Sequence, residues 1–162
     1  FGHASTTDYR RWIRHPMPLA VGDRSWESEH VWAPYVHRRN GRYYMFYGGW
    51  DCICLARSDD GKQFQRVLNE RGKPVLFAGP YQNTRDPMVM KHDGVFYCYY
   101  MGHDKQKEIQ SAIFCRTSRD MKAWSEPTMF SRKLVLTAGV SWGQVMFLKS
   151  CQPVAPSTAA AS

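Results

Sequence analysis

Apolar and aromatic residues in this chain fall into short runs broken by turn dipeptides, and two of these groupings copy one another. Trp32-Ala33-Pro34-Tyr35-Val36, Asn40-Gly41 and Arg42-Tyr43-Tyr44-Met45-Phe46-Tyr47 match Arg85-Asp86-Pro87-Met88-Val89, Asp93-Gly94 and Val95-Phe96-Tyr97-Cys98-Tyr99-Tyr100 at a constant offset of 53 residues. Asn-Gly and Asp-Gly between apolar runs are strong hairpin signals, because both turn residues must take positive φ. Each unit therefore predicts a strand, a two-residue turn and a second strand. A third strand follows as Cys52-Ile53-Cys54-Leu55-Ala56-Arg57 in one unit and Ala112-Ile113-Phe114-Cys115-Arg116 in the other.

A second repeat runs through the same chain. Thr6-Thr7-Asp8-Tyr9-Arg10-Arg11-Trp12, Ser58-Asp59-Asp60-Gly61-Lys62-Gln63-Phe64 and Ser118-Arg119-Asp120-Met121-Lys122-Ala123-Trp124 all read hydroxyl, any residue, Asp, three residues, aromatic, at spacings of 52 and 60. Short hydroxyl and carboxylate side chains bond the backbone of their own turn, and the aromatic pins the outgoing fourth strand onto the sheet. Asp8, Asp60 and Asp120 are thus turn formers rather than catalytic groups. Four antiparallel strands repeated in tandem about every 50 to 60 residues is the pattern of a β-propeller blade. A sandwich is the alternative, but sandwiches do not usually repeat their turn chemistry at a fixed period.

The expected organisation is an all-β partial propeller over residues 1–150. Residues 1–25 form half a blade, 26–78 and 79–132 one four-stranded blade each, and 133–150, with Val145-Met146-Phe147-Leu148, the start of another. Residues 151–162, rich in Pro, Ala, Ser and Thr, read as a disordered tail. The chain opens on Phe1-Gly2-His3-Ala4-Ser5 without an initiator Met, which suggests processing, trimming or a fragment.

Composition refines this picture only slightly. At 162 residues and 43% hydrophobic the chain can build a real core, and its 14% aromatic content suits both β cores and sugar-stacking surfaces. The net charge of +8 invites a nucleic-acid reading, but adjacent cations stop at pairs such as Arg10-Arg11 and Arg38-Arg39, with no run or helical stripe, so no nucleic-acid partner is expected. A polyanion-binding protein would gather its cations on one face. Cys52 and Cys54 are separated by one residue and Cys98, Cys115 and Cys151 stand alone, which is not a zinc spacing; buried thiols and no metal or cofactor are expected. No stretch approaches the length of a membrane span and no leader opens the chain, so no membrane partner is expected; the compartment is not legible.

In an up-and-down meander every second connection lies on the same rim. Trp32, Trp50, Asp51, Arg85, Asp86, His103 and Asp104 then share one rim, and the Asn-Gly, Asp-Gly and Asp-containing turns share the other. Converging polar and aromatic groups at a propeller mouth are the default binding site. Arg85 beside Asp86 favours the ionised carboxylate, a fixed anion rather than a proton donor. Pro87 removes a ladder donor, which predicts that Asp86 stands at the first residues of its strand. Glu29-His30 lies just before the first strand of the middle blade, within reach of the same rim, but nothing in the spacing fixes its direction.

Phe1-Gly2-His3-Ala4-Ser5-Thr6-Thr7-Asp8-Tyr9-Arg10-Arg11-Trp12, Val31-Trp32-Ala33-Pro34 and Arg85-Asp86-Pro87 resemble the five-bladed propeller glycoside hydrolases of families 32, 68 and 43, from Phe1 to about Pro127. Gly-His-Ala is closer to family 32 and Trp-Ala-Pro to family 43. The resemblance implies a furanose or pentose glycoside of the fructan, arabinan or xylan type and three acidic residues around an axial pocket. Asp86 corresponds to the carboxylate that stabilises the transition state. Trp32, Trp50, Asp51, Arg85, His103 and Asp104 are the candidate substrate-binding residues.

The family's nucleophile or base lies on an innermost strand that would precede Phe1, and its proton donor, a Glu before Pro, has no counterpart at Ser150-Cys151-Gln152-Pro153; Glu126-Pro127 falls on an outer strand. The chain as given is therefore expected to lack hydrolysis by the family mechanism, a non-catalytic carbohydrate-binding unit being the alternative, and to self-associate through bare blade faces.

Overall fold

The computed structural model describes residues 1–22, 24–27, 30–79, 82–104 and 109–132; the expected further blade over 133–150 and the tail over 151–162 lie outside them. Two short strands, β1 (Ala4–Ser5) and β2 (Ile13–Arg14), form the first sheet, and one four-residue helical turn, α1 (Arg24–Glu27), leads to the second. There β3 (Trp32–Arg39), β4 (Arg42–Gly48) and β5 (Cys52–Ser58) run as a meander, with β6 (Gln65–Arg66) and β7 (Val75–Ala78) both pairing β5 on its outer side. The third sheet orders β8 (Gln82–His92), β9 (Val95–Asp104), β10 (Ile109–Ser118) and β11 (Thr128–Arg132) side by side. All pairings are antiparallel.

The 53-residue repeat is a repeat of structure. Arg39 faces Arg42 across Asn40-Gly41 as His92 faces Val95 across Asp93-Gly94, and the turn residues take matching φ values, 48° and 77° against 47° and 77°. The fourth strands differ. The outer strand of the third sheet is continuous, whereas in the second sheet it breaks into β6, opposite Ala56 and Arg57, and β7, opposite Cys52 to Cys54. Between them the chain turns back on itself at Asn69, whose Oδ1 accepts from the backbone N–H groups of Arg71 and Lys73.

The three Asp-containing turns are built alike. In each, the hydroxyl of Thr6, Ser58 or Ser118 accepts from the backbone N–H of the Asp and of the residue after it, while Asp Oδ1 accepts from the two N–H groups beyond at 2.8 to 3.1 Å. The residue after each Asp is left-handed: Tyr9 at 58°, Gly61 at 74°, Met121 at 66°. Backbone hydrogen bonds hold all three carboxyls below the usual range, that of Asp60 to about 2. The aromatic pin holds at Phe64, which is buried, and at Trp124, which packs edge-on against Phe46 and Phe77. It fails at Trp12, which is exposed and meets only the edge of Tyr9 among the described rings, because the two-residue strands of the first sheet offer nothing to pack against.

Alternation along β4 and β5 feeds two cores. Phe46, Ile53 and Leu55 face the third sheet and pack with Val89, Phe96, Tyr100 and Phe114, while Met45, Tyr47, Cys52, Cys54 and Ala56 face the first with Leu19 and Phe64. As expected for structural thiols, Cys52, Cys54 and Cys98 are buried and unpaired by disulfide. One tie was not foreseen. Glu27 on α1 is fully buried and takes both arms of Arg66, at 2.8 and 2.7 Å, the Tyr47 hydroxyl at 2.8 Å and the Gly22 N–H. Burial pushes the Glu27 carboxyl up, but Arg66, Gly22 and Tyr47 together outweigh it and hold it below its usual value.

The expected position of Asp86 needs correction. Strand β8 begins at Gln82, so Asp86 and a buried Pro87 lie inside the strand rather than at its first residues. The missing donor of Pro87 is accommodated by an irregularity in the β8–β9 register between Arg85 and Met88, one of the settings in which a strand proline is tolerated.

Candidate saccharide site

The site is assembled from the starts of the inner strands β3 and β8, the loop that follows β4 and the end of β9. Ala33 and Asp86, each preceding a proline, take φ of 42° and 56° inside register shifts of their strands. Residues before proline normally adopt extended backbone, so both positions are locally strained. The kink at Asp86 leaves its side chain 47% exposed, 3.6 Å from Arg85 Nε. That nitrogen is itself buried and meets no hydrogen-bond acceptor among the described residues.

Aromatic rings flank this pair. Trp32 lies between His30, at 5.4 Å between ring centroids, and Trp50, at 6.0 Å, and Trp50 is 55% exposed. Gly48 connects the two halves: a Cβ there would stand 3.1 Å from Arg85 Cβ and 3.6 Å from Trp32 Cβ. The closeness of the two blades at this point sets the Cβ of Arg85 near that of Trp32.

Asp51 and His103 sit deeper in the same rim. The Asp51 carboxylate accepts the backbone N–H of Asn83, tying the loop after β4 to the start of β8. The Asn83 amide stands 3.5 Å from both ring nitrogens of His103, and His103 Nε2 is 3.1 Å from Ser111 Oγ. Asp51–Asn83–His103–Ser111 is therefore a polar chain joining the two blades. Asp104 ends β9, and its side chain, like Glu29, lies outside the described residues. Asn83 was not singled out by sequence, and His30 was named there without a fixed direction; the positive φ of Asn83, at 60°, follows from a second register shift in β8 that no local pattern announces. An open depression of about 370 Å³ lies elsewhere, on the opposite rim, lined by Val95, Thr117, Ser118, Arg119, Asp120 and Ala123.

A family model for the N-terminal domain of glycosyl hydrolases family 32 matches residues 1–144. The chain belongs to this family. Among curated proteins, the family-32 chain is similar to the sucrose-6-phosphate hydrolase of Bacillus subtilis, 26% identical over 134 residues that cover 76% of the chain and 26% of that protein. It is also similar to the 1,2-β-oligomannan phosphorylase of a Thermoanaerobacter species, 25% identical over 67% of the chain and 40% of that protein. The chain thus spans about a quarter of the length of the first relative and two fifths of the second.

Among solved structures it resembles the Bacillus subtilis arabinanase Arb43A, with a TM-score of 0.51 and 17% identity over 66% of the chain and 40% of that structure. That similarity is one of fold. With the antiparallel meanders described above, it gives the family-32 chain the fold of part of a five-bladed β-propeller.

Proposed function

We propose that the rim carrying Trp32, Trp50, Arg85 and Asp86 binds furanose- or pentose-containing saccharides of the fructan, arabinan or xylan type. Asp86 is the carboxylate that stabilises a cationic, oxocarbenium-like transition state. The observation that carries this reading is a half-exposed carboxylate, kinked out of an inner strand beside Arg85, on the rim that also carries the exposed Trp50 indole. The Trp50 face suits the C–H face of a sugar ring, and the Arg85 guanidinium suits its hydroxyls. Asp51, His103 and Asn83 hold the two blades in register beneath the ligand, and Asp104, at the end of β9, is assigned to the same rim by its position in the chain.

A second reading, binding without turnover, is favoured by the carboxylate inventory. Hydrolysis of a glycosidic bond takes a proton donor and a nucleophile or base. Among the described residues Glu27 is enclosed by Arg66, Tyr47 and Gly22 and Asp51 is bonded to Asn83, which leaves Asp86, beside Arg85, as the acid this rim presents. The chain by itself is therefore a saccharide-binding unit whose hydrolytic partners would come from outside the described residues. Calorimetric titration with fructo-, arabino- and xylo-oligosaccharides tests both readings, together with assays on sucrose, aryl arabinofuranosides and aryl xylosides. Binding reduced at least tenfold by Trp50→Ala without turnover is expected; robust hydrolysis abolished by Asp86→Ala would replace the second reading by the first, and no saccharide binding would remove both.

Self-association belongs to the same proposal. Trp12, Ile13 and Met17 expose more than half of their surface on the first sheet and the segment after it, and such apolar surface drives association. Light scattering on dilute chain should report dimers or larger species, whereas a stable monomer would refute this element.

A further inference from the structure

We propose that the rim opposite the saccharide site is a docking surface for a carboxylated polysaccharide. The cations that look scattered in sequence are gathered there by the fold. Arg38, Arg39 and Arg42 flank the first hairpin turn, Lys91 flanks the second, and Lys62 and Arg119 ride on the Asp60 and Asp120 turns. Side-chain geometry brings these turns together: Arg42 Nε is 3.0 Å from Asp59, a Cβ on Gly61 would touch the Tyr43 ring at 3.3 Å, and Arg39 Nη1 reaches the Asp120 carbonyl of the neighbouring sheet at 3.4 Å.

Three of these cations are held by rings rather than by acids. Arg38 lies 5.6 Å from the centroid of Tyr43, and Arg39 and Lys91 lie 5.0 and 5.4 Å from that of Phe96. An aromatic face positions a cation without cancelling its charge. The six cations outnumber the four acids of these turns, of which Asp60 and Asp120 accept from their own backbone, Asp59 pairs with Arg42, and Asp93 lies 3.3 Å from His92 Nε2. The positive field registers on His37, whose proton affinity is lowered by burial first and then by Lys91 and Arg39.

The lining of the rim selects among polyanions. Its depression of about 370 Å³ is lined by Thr117, the Arg119 cation and the Asp120 carboxylate, and by no aromatic ring. Single-stranded nucleic acid binds by stacking bases on aromatic platforms, which this lining lacks. A uronic-acid polymer presents hydroxyls for the polar lining and one carboxylate per sugar for the surrounding cations. A surface of this kind gives a saccharide-binding propeller a second hold on an acidic glycan, with its neutral-sugar rim left unoccupied.

Binding of the full chain to polygalacturonate, to neutral arabinan and to poly(dT) can be followed by calorimetry at low salt and at about 0.3 M NaCl, where surface charge attraction is largely screened. Arg38→Gln/Lys62→Gln and Arg119→Gln change exposed positions, with Trp50→Ala as the control on the other rim and circular dichroism as the check on folding. Expected is polygalacturonate binding that falls at least tenfold in the double variant, falls likewise with salt, and is unchanged in Trp50→Ala. Absent binding, binding indifferent to the rim variants, or binding lost in Trp50→Ala overturns the proposal, and tighter binding of poly(dT) makes the surface a nucleic-acid one. The neutral-arabinan titration, expected to respond to Trp50→Ala and not to the cation variants, tests the other rim on its own, so the two readings fail separately.

Discussion

Ala33 and Asp86 occupy the same place in two successive blades, each before a proline and each left-handed, with φ of 42° and 56°. The kink is thus a property of the blade, and the second copy uses it to present a carboxylate. A left-handed backbone costs a residue bearing a Cβ about 1–2 kcal/mol, part of which glycine forfeits through its looser unfolded state. Ala33→Gly should therefore stabilise the chain by about 0.5–1 kcal/mol in urea denaturation. At Asp86 the same logic separates charge from backbone, because Asn tolerates positive φ: Asp86→Asn should keep the melting temperature while removing the anion, and Asp86→Ala should lose about 1 kcal/mol as well.

The buried pair Glu27–Arg66 holds α1 against the outer side of the second sheet. Removing one member of such a pair leaves an uncompensated charge, a cost of about 3–5 kcal/mol. Arg66→Met should destabilise by about that amount, and adding Glu27→Leu should recover part of the loss, which a double-mutant cycle by urea denaturation reads directly. The pH dependence follows in sign. The folded carboxyl of Glu27 lies below its unfolded value of 4.5, so this stabilisation is complete above about pH 4.5 and is lost as pH falls through the folded value.

The Asp60 turn gives a second acid-sensitive element with a lower window. Its carboxyl drops from 3.8 to about 2, so the contribution is present above 3.8 and disappears as pH falls towards 2. Asp60→Asn should flatten the stability profile in that window. Ser58→Ala, which strips the buried hydroxyl from the Asp60 and Gly61 N–H groups, should cost about 1–3 kcal/mol at neutral pH by thermal melting.

These turns also show what the sequence could disclose. Thr6, Ser58 and Ser118 with their Asp partners were readable because each turn satisfies its own backbone within seven residues, so the chemistry is written locally. The same holds for Asn40-Gly41 and Asp93-Gly94. Glu27 and Arg66 stand 39 residues apart, and the partner of Asp51 is a backbone N–H 32 residues away, so neither tie exists until the sheets pack. Asp86 was found and its surroundings were misjudged: a proline read as a strand start is accommodated within the strand by a register shift. The cationic rim was invisible for a related reason, since its members are distributed over four separate turns.

Gly48 provides the sharpest test of how blade packing sets the site. Its backbone lies where β4 passes under Trp32 and across the blade boundary from Arg85, and a methyl group there would meet Arg85 Cβ at 3.1 Å and Arg85 Cα at 3.4 Å. Both atoms move only with the main chain of β8, so a rotamer change at Arg85 cannot relieve the crowding. Gly48→Ala should instead force β8 away from β4, at an overpacking cost of about 1–3 kcal/mol. Since Arg85 and Asp86 ride on β8 while Trp32 and Trp50 belong to the other blade, the displacement should weaken saccharide binding without altering any side chain that touches the ligand. Calorimetry on Gly48→Ala beside Gly49→Ala separates the two effects: Gly49 meets the Trp26 carbonyl and the Cys52 and Cys54 sulfurs, all within its own blade, so its variant should lose stability through that crowding rather than by shifting Arg85. Undiminished saccharide affinity in a folded Gly48→Ala chain would show that the two blades do not form one binding surface.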